Sequence, residues 1–204
     1  MLKIITVSSP DHIKFIDSCK YKVKNAADYA NIDYEHLIKI DYLKEGQSVF
    51  RNILLKQIND NDIICFMDAD DYPSHFLFKN IKYLQTYDII YGNYKFIESQ
   101  EIIKSNIFNK ELFLKKNFIP FSGSLVRGNV AKQAIFNNIK HGNDWHYWHQ
   151  LVVKGFKFKY INEIFSHRRE LTSYKRSNIP VYRKLRRLYR NYKVKQMIKQ
   201  LWNG

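Results

Sequence analysis

The feature that most constrains the fold is an alternation of strand-like and helix-like segments over the first half of the chain. Runs of β-branched or alternating apolar residues predict strands, and apolar residues spaced three and four apart predict the helices between them. The strand-like segments are LKIITVSS from Leu2, YEHLIKID from Tyr34, DIICFMD from Asp62 and DIIYGNYKFI from Asp88. A β-α-β-α-β-α-β order predicts an α/β fold with an open, mostly parallel central sheet flanked by helices.

The second half of the chain shows less regular periodicity. SHFLFKNIKYLQTY from Ser74 and NVAKQAIFNN from Asn129 are predicted helices, as is NDWHYWHQLVVKG from Asn143, while FKFKYIN from Phe156 alternates like a strand. FSGSLVRG, from Phe121, is predicted to be a short strand or a turn. The 204 residues are enough for one domain with a proper core, or one domain and an appendage.

A cluster of carboxylates follows the third predicted strand. In IICFMDADDYP, Asp68, Asp70 and Asp71 come directly after the apolar residues. Open α/β sheets bind ligands outside the carboxyl ends of their strands, and Mg²⁺ or Mn²⁺ prefers oxygen ligands that it shares with substrate phosphates. A cation here would neutralise a diphosphate leaving group. The alternative is a solvated turn, because aspartate caps helices and tolerates turn conformations.

An ordered set of motifs resembles glycosyltransferase family 2, which has the GT-A fold. GQSVFRNILLKQINDNDIICFMDADD is similar to the segment of that family in which a glycine loop, an Ala-Arg-Asn-like helix start and a hydrophobic strand lead into Asp-x-Asp-Asp. FSGSLVRGNV resembles its acceptor-side segment, and GNDWHYWHQLVVKGFKFKYINEIFSHRRELTSYKR resembles its terminal helix, strand and basic region. The resemblance implies a GT-A domain over residues 1–175, with a nucleotide half of about 1–98 and an acceptor half of about 99–175.

This resemblance implies roles for individual residues. Asp70 is expected to be the direct metal ligand for Mn²⁺ or Mg²⁺, with Asp68 and His167 near the same ion, while Asp71 is expected to cap the next turn. Asp144 matches the catalytic base, although the residue before it, a glutamate in that family, is Asn143 here. The positions expected to contact the nucleotide are Ser8, Ser9, Asp41, Arg51, Asp68 and Arg168.

Two residues of the aromatic helix also have a plain structural interpretation. Asp144 precedes WHYWHQL, as a helix N-cap does. Trp145 is either a packing residue or, beside the expected base, a ring that stacks on the acceptor sugar.

Basic residues concentrate at the C-terminal end. The net charge is +15, and the segment from Phe165 onward carries 12 Lys and Arg residues against one acid. Residues 176–204 have an apolar stripe at helical spacing and a basic opposite face, which predicts a basic amphipathic helical tail. Such a tail either contacts an anionic membrane surface or docks on the domain.

The sequence therefore predicts a metal-dependent, inverting transferase that moves a sugar from a nucleotide sugar, UDP-sugars first, to a glycan, lipid-linked or protein acceptor. We expect a cytoplasmic protein with peripheral membrane contact through its tail, and no specific nucleic-acid partner. One alternative is a nucleotidyltransferase, although SSPDHIKF lacks the glycine-rich phosphate loop that such an enzyme needs. Another is a non-catalytic basic module that binds nucleic acid or membrane.

Overall fold

The computed structural model describes residues 1–139 and 142–170. Its strands are β1 (Leu2–Ser8), β2 (Tyr34–Ile40), β3 (Ile63–Phe66), β4 (Tyr72–Pro73), β5 (Ile89–Phe96), β6 (Ile102–Ile103), β7 (Leu125–Arg127) and β8 (Phe158–Arg168). Its α-helices are α1 (Ile16–Ala30), α2 (Gln47–Leu55), α3 (Lys110–Lys115), α4 (Gly128–Ala131) and α5 (Asn143–Val153), and 3₁₀-helices cover Pro10–Phe15 and Leu77–Gln85.

The described strands form one sheet in the order β2-β1-β3-β7-β5-β8-β4, with β6 paired to β5. β1 is parallel to β2 and β3, and β5 is parallel to β8. β7 is antiparallel to both of its neighbours, so β3 and β5 also point the same way. Five strands of the described sheet therefore share one direction, which confirms the predicted α/β fold with a mostly parallel sheet.

Helices cover both faces of the sheet because its central strands are apolar on both sides. All seven residues of β1 are buried. On one face α1 packs with Cys19, Val23 and Ala27 in its buried stripe. On the other face the core contains the apolar sides of α2 and α5 and a group of stacked aromatic rings around Phe66.

Two predicted helices differ from their predicted form, and the short strand predicted in FSGSLVRG takes a place in the sheet that was not expected. The segment from Leu77 to Gln85 is a 3₁₀-helix, and the predicted helix from Asn129 shortens to α4. FSGSLVRG contributes β7, which enters the centre of the sheet between β3 and β5 and runs against them. A three-residue strand is too short to show a period, so its place had no signal in the sequence.

No helix within residues 1–139 and 142–170 combines the length and the apolar character needed to cross a membrane. The predicted basic tail, residues 176–204, and the end of the predicted domain lie outside the described residues.

The direction of the strands decides where polar groups collect. The carboxyl ends of β1, β2 and β3 lie at one edge of the sheet, where Ser8, Asp41 and Asp68 follow or end these strands. That edge is where open α/β sheets bind ligands.

Candidate active site

The acidic turn after β3 is held by the loop of residues 117–124, which leads into β7. The amide of Asp68 donates a hydrogen bond to Ser122 Oγ over 3.1 Å, and the amide of Asp71 donates to the carbonyl oxygen of Asp68 over 3.0 Å. Gly123 N donates to Phe66 O over 2.9 Å, which binds the same loop to the end of β3. The turn is thus fixed by backbone and hydroxyl contacts before any ligand arrives.

Arg51 lies beneath this turn and is buried. Its Nη2 donates to Asp68 Oδ1 over 2.8 Å and to Gln47 Oε1 over 2.9 Å, and its guanidinium stacks 4.3 Å from the centre of the Phe121 ring. Only 5% of the Arg51 side chain is exposed, compared with 37% of Asp68. Arg51 therefore orients Asp68 from below. Its place in the structure favours this role over the direct nucleotide contact that we expected.

Asp70 and Asp71 point to different partners. Asp70 faces the 3₁₀-helix after β1, where its Oδ1 lies 3.9 Å from His12 Nδ1. Burial and the neighbouring Asp68 carboxylate raise the pKa of Asp70, while His12 and Arg169 lower it. Crowded carboxylates of this kind repel each other, and a bound cation would relieve the repulsion.

Asp71 connects the acidic turn to the end of β8. Its Oδ1 accepts a hydrogen bond from the Arg169 amide at 3.3 Å, and its Oδ2 lies 3.9 Å from Arg168 Nε. Burial raises the pKa of Asp71 to about 7, against the lowering effect of Arg168. Asp71 was expected to cap the next turn, and these contacts join its carboxylate to the end of β8.

Arg168 is a candidate cation for a phosphate group at this edge. Its Nη2 approaches Ser122 O at 3.4 Å and its guanidinium lies 4.2 Å from the centre of the Tyr94 ring. Its Nε is buried and makes no hydrogen bond to the rest of the described chain. Because the Arg168 side chain is 23% exposed, an anionic ligand such as a diphosphate would meet it through its exposed part rather than through the buried Nε.

Asp144 lies in the first turn of α5, and its carboxylate faces the same loop. Asn117 Nδ2 donates to Asp144 Oδ2 over 3.1 Å. Burial raises the pKa of Asp144, whereas the Trp145 amide, Arg51 and Arg168 lower it. The N-cap of α5 is Gly142, so Asp144 lies inside the first turn of the helix rather than at the predicted N-cap position.

His167 is not placed with the predicted metal ligands. Its ring stacks on Tyr72 at 5.0 Å between centres, and burial lowers its pKa together with the positive charges of Lys95, His75 and Lys22. Across residues 1–139 and 142–170, no three His, Cys, Asp or Glu side chains are gathered closely enough to hold a metal ion by themselves. The predicted set of Asp68, Asp70 and His167 is therefore not assembled.

Two carboxylates on one turn still fit Mg²⁺ or Mn²⁺. These ions are commonly held by one or two carboxylates and complete their shell with water and substrate phosphates. Asp70 and the exposed part of Asp68 offer such oxygen donors, and the guanidinium of Arg168 lies beside Asp71 of the same turn.

The residues predicted at the ends of β1 and β2 are mostly engaged within the protein. Ser8 is buried and its Oγ donates to Ser9 O over 2.9 Å, while Ser9 is partly exposed. Asp41 is buried, and its two carboxylate oxygens accept the amides of Glu45 and Gly46, each over 2.9 Å. These bonds make Asp41 a brace for the loop before α2, which shapes this side of the cleft.

Trp145 lies in the core rather than on a sugar-binding surface. Its side chain is almost fully buried, and its Nε1 donates to Phe113 O over 3.1 Å. This placement favours the packing interpretation and not the predicted stacking on the acceptor.

Sequence reasoning missed the polar residues that hold the acids in place. Ser122, Asn117 and His12 contact Asp68, Asp144 and Asp70, respectively. No motif marked Asn117 or His12. The Ser-Gly of FSGSLVRG belongs to a segment that resembles the family, but nothing in that segment indicates a contact with the acidic turn.

Comparison with known proteins supports the fold. No protein-family model matches the chain, and no curated protein sequence matches it. The structure is similar to the crystal structure of S. aureus TarS 1–349, a glycosyltransferase, with a TM-score of 0.62 and 14% identity, covering 83% of this chain and 60% of that chain. A second S. aureus TarS structure gives a TM-score of 0.63 and 13% identity, covering 84% of this chain and 37% of that chain.

The chain thus spans less than two thirds of the TarS chains that it matches. Similarity at this level of identity shows the fold. The chain has a GT-A-like, Rossmann-like fold, as the sequence motifs predicted.

Proposed function

We propose that the chain is a metal-dependent, inverting glycosyltransferase that uses a nucleoside-diphosphate sugar, UDP-sugars first, and an acceptor hydroxyl. The observation that carries this proposal is the convergence of the acidic turn, Arg168 and Asp144 around the loop of residues 117–124. Such a transfer needs acids that bind a cation, a guanidinium that binds phosphate and a separate carboxylate that accepts a proton.

The chemistry assigned to these residues is a single displacement. Asp144 accepts the proton of the acceptor hydroxyl while that oxygen attacks the anomeric carbon of the donor. The bond from the anomeric carbon to the diphosphate oxygen breaks, and its electron pair leaves with the nucleoside diphosphate. Arg168 stabilises the negative charge that develops there. A divalent cation held by Asp70 and Asp68 would supply Lewis-acid stabilisation of the same leaving group.

Asp144 has the environment that a base requires. Its burial raises its pKa and so makes it a better proton acceptor, while the guanidinium groups of Arg51 and Arg168 act in the opposite direction. Arg51 also holds Asp68, so one buried cation lies near both the donor side and the acceptor side.

Titration calorimetry with UDP, GDP and CDP, each with and without Mn²⁺, tests the donor side of the proposal. We expect UDP to bind and Mn²⁺ to strengthen the binding. Asp70→Ala is expected to weaken the Mn²⁺-dependent binding at least about tenfold, the loss that even residues behind metal ligands can cause. Asp60→Ala is the matched control. Asp60 is an exposed acid in the turn before β3, where it pairs with Lys132, and this turn lies away from the acidic turn after β3. The proposal is wrong if no nucleoside diphosphate binds, or if binding ignores both Mn²⁺ and Asp70→Ala.

A panel of UDP-sugars with the same variants tests the catalytic side. Asp144→Asn is expected to reduce turnover about 10²–10⁴-fold, the usual contribution of a general base, and to leave UDP affinity nearly unchanged. Loss of UDP binding in Asp144→Asn would remove Asp144 from the role of base.

A further inference from the structure

Asn117 is the first residue of the loop that also carries Ser122, and its side chain is fixed at both ends. Its Oδ1 accepts a hydrogen bond from the Ile119 amide over 3.1 Å, and its Nδ2 donates to Asp144 Oδ2 over 3.1 Å. Because the backbone amide can only donate, the oxygen of Asn117 must face Ile119 and the NH₂ group must face Asp144. The orientation of the amide is therefore set by its own loop.

The backbone of Asp144 is fixed from the opposite side. The Asp144 amide donates to Asn143 Oδ1 over 2.8 Å, and Asn143 Nδ2 donates to Ser48 Oγ over 3.1 Å. Ser48 belongs to α2 and is buried. The start of α5 is thus attached to α2, and the carboxylate alone extends to the loop of residues 117–124.

We propose that Asn117 is a positioning residue for the base: its amide holds Asp144 Oδ2, directs the remaining carboxylate lone pairs to the acceptor hydroxyl and favours the ionised carboxylate. The role of Asp144 as a base rests on the proposed function. The contact between Asn117 and Asp144 can be tested without assuming that function. A hydrogen bond from a neutral amide to a charged carboxylate is stronger than one to a neutral acid.

Other charged groups also act on Asp144, and the test must separate them from Asn117. Arg51 of α2 and Arg168 of β8 favour the ionised form, and Asp68 at the end of β3 opposes it. All three remain in place when Asn117 is replaced, so a change in Asp144 that depends on Asn117 reports the amide contact.

A double-mutant cycle measures this contact directly. The variants are Asn117→Ala, Asp144→Asn and the combination, and the measurement is urea unfolding of the full chain at pH 8 and at pH 4.5. At pH 8 we expect Asn117→Ala to raise the unfolding equilibrium constant about tenfold more in the wild-type background than in the Asp144→Asn background. Because burial raises the pKa of Asp144, the difference is expected to shrink at the lower pH as Asp144 takes up a proton.

The chain offers a matched control for the same contact chemistry. Asn80 is buried, and its Nδ2 donates to the Glu163 carboxylate over 3.0 Å, with no part in the proposed site. Asn80→Ala is expected to lower stability and to leave the properties of Asp144 unchanged. Should Asn117→Ala fail to fold, Asn117→Ser removes the same amide and preserves a small polar side chain. A cycle that gives equal effects in both backgrounds would overturn the proposal.

The pH profile of kcat/KM for transfer is the second readout. Loss of the amide donor raises the pKa of Asp144, so the acidic limb of the profile should move to higher pH in Asn117→Ala. It should move further in Asn117→Asp, which places a second carboxylate beside the first. UDP affinity should stay as in the wild type, and Asn80→Ala should leave the limb in place. A uniform loss of activity with an unmoved limb would assign Asn117 a purely structural role.

These measurements distinguish a failure of the proposed function from a failure of the role proposed for Asn117. If the wild-type chain transfers no sugar and binds no nucleotide, the proposed function fails, while the unfolding cycle still decides whether Asn117 holds Asp144. If transfer occurs and the cycle shows no coupling, only the role of Asn117 is lost.

Discussion

The ion pair between Arg51 and Asp68 predicts an unequal response to the loss of its two members. Arg51 is 5% exposed and Asp68 is 37% exposed. Asp68→Ala leaves a buried guanidinium that cannot lose its proton, whereas Arg51→Met leaves a carboxylate that water already reaches. We therefore expect Asp68→Ala to be the more destabilising change, although Asp68 is the residue nearer the solvent.

The size of the effect follows from what remains around Arg51. Removing one partner of a buried pair costs about 3–5 kcal/mol. Arg51 would keep its 2.9 Å hydrogen bond to Gln47 and its contact with the Phe121 ring. Those contacts reduce the expected cost of Asp68→Ala to about 2–3 kcal/mol. For Arg51→Met, which keeps most of the packing volume, we expect about 1–2 kcal/mol.

Urea unfolding at pH 7.5, followed by tryptophan fluorescence, checks this order. A loss of 2–3 kcal/mol corresponds to a midpoint shift of about 1 M for a protein of this size. The double variant Arg51→Met/Asp68→Ala should be more stable than the sum of the single losses predicts, because neither charge is left alone. A neutral or stabilising Asp68→Ala would refute the reasoning, since Arg51 would then not depend on Asp68.

Three further changes test other parts of the site. Burial raises the pKa of Asp71 to about 7, well above the ordinary value of an aspartate, so its ionisation costs stability as the pH rises through that interval. Asp71→Asn should therefore have a higher Tm than wild type at pH 8 and lose that advantage near pH 4. Trp145→Phe removes the hydrogen bond to Phe113 O and some buried volume, so calorimetry should find that the free energy of unfolding falls by about 1–3 kcal/mol while UDP affinity is unchanged. Loss of acceptor binding at unchanged stability would instead support the stacking role. Gly123 has a φ of +89°, and an added Cβ would lie 3.0 Å from Ser166 Cβ, so Gly123→Ala should lower the free energy of unfolding by about 1–2 kcal/mol, and an unchanged urea midpoint would show that the loop adapts.

The parts of the fold that the sequence predicted are those with local signals. β1, β2, β3 and β5 each carry an apolar run, and the acidic turn follows β3 directly in the chain. β7 could not be placed, because three residues have no period and their partners lie about sixty and forty residues away in the chain. Sheet order is a property of long-range pairing, and only the family resemblance carried information about it.

The candidate site divides in the same way. Asp68 could be predicted as a strand-end acid, but its partners Arg51 and Ser122 are 17 and 54 residues away, and no local pattern encodes those distances. Arg51 matched a motif, but the motif did not indicate its burial or its contacts with Asp68 and the Phe121 ring. A motif indicates which residue matters, while the packing around it decides what it touches.

His167 and Arg168 show how one residue of register separates two roles. Successive side chains of a strand point to opposite faces, so adjacent residues at the end of β8 cannot both face the acidic turn in the same way. The pairing of Tyr72 with His167 places the histidine ring on Tyr72 and leaves Arg168 between Asp71 and Ser122 O. The motif HRR shows that this end of β8 is basic, but it carries no information about the register of β8 with β4. The sequence therefore assigned both residues to the site. Of the two residues, Arg168 is the one whose guanidinium lies beside Asp71. A shift of one residue in the register of β8 would exchange the positions of His167 and Arg168.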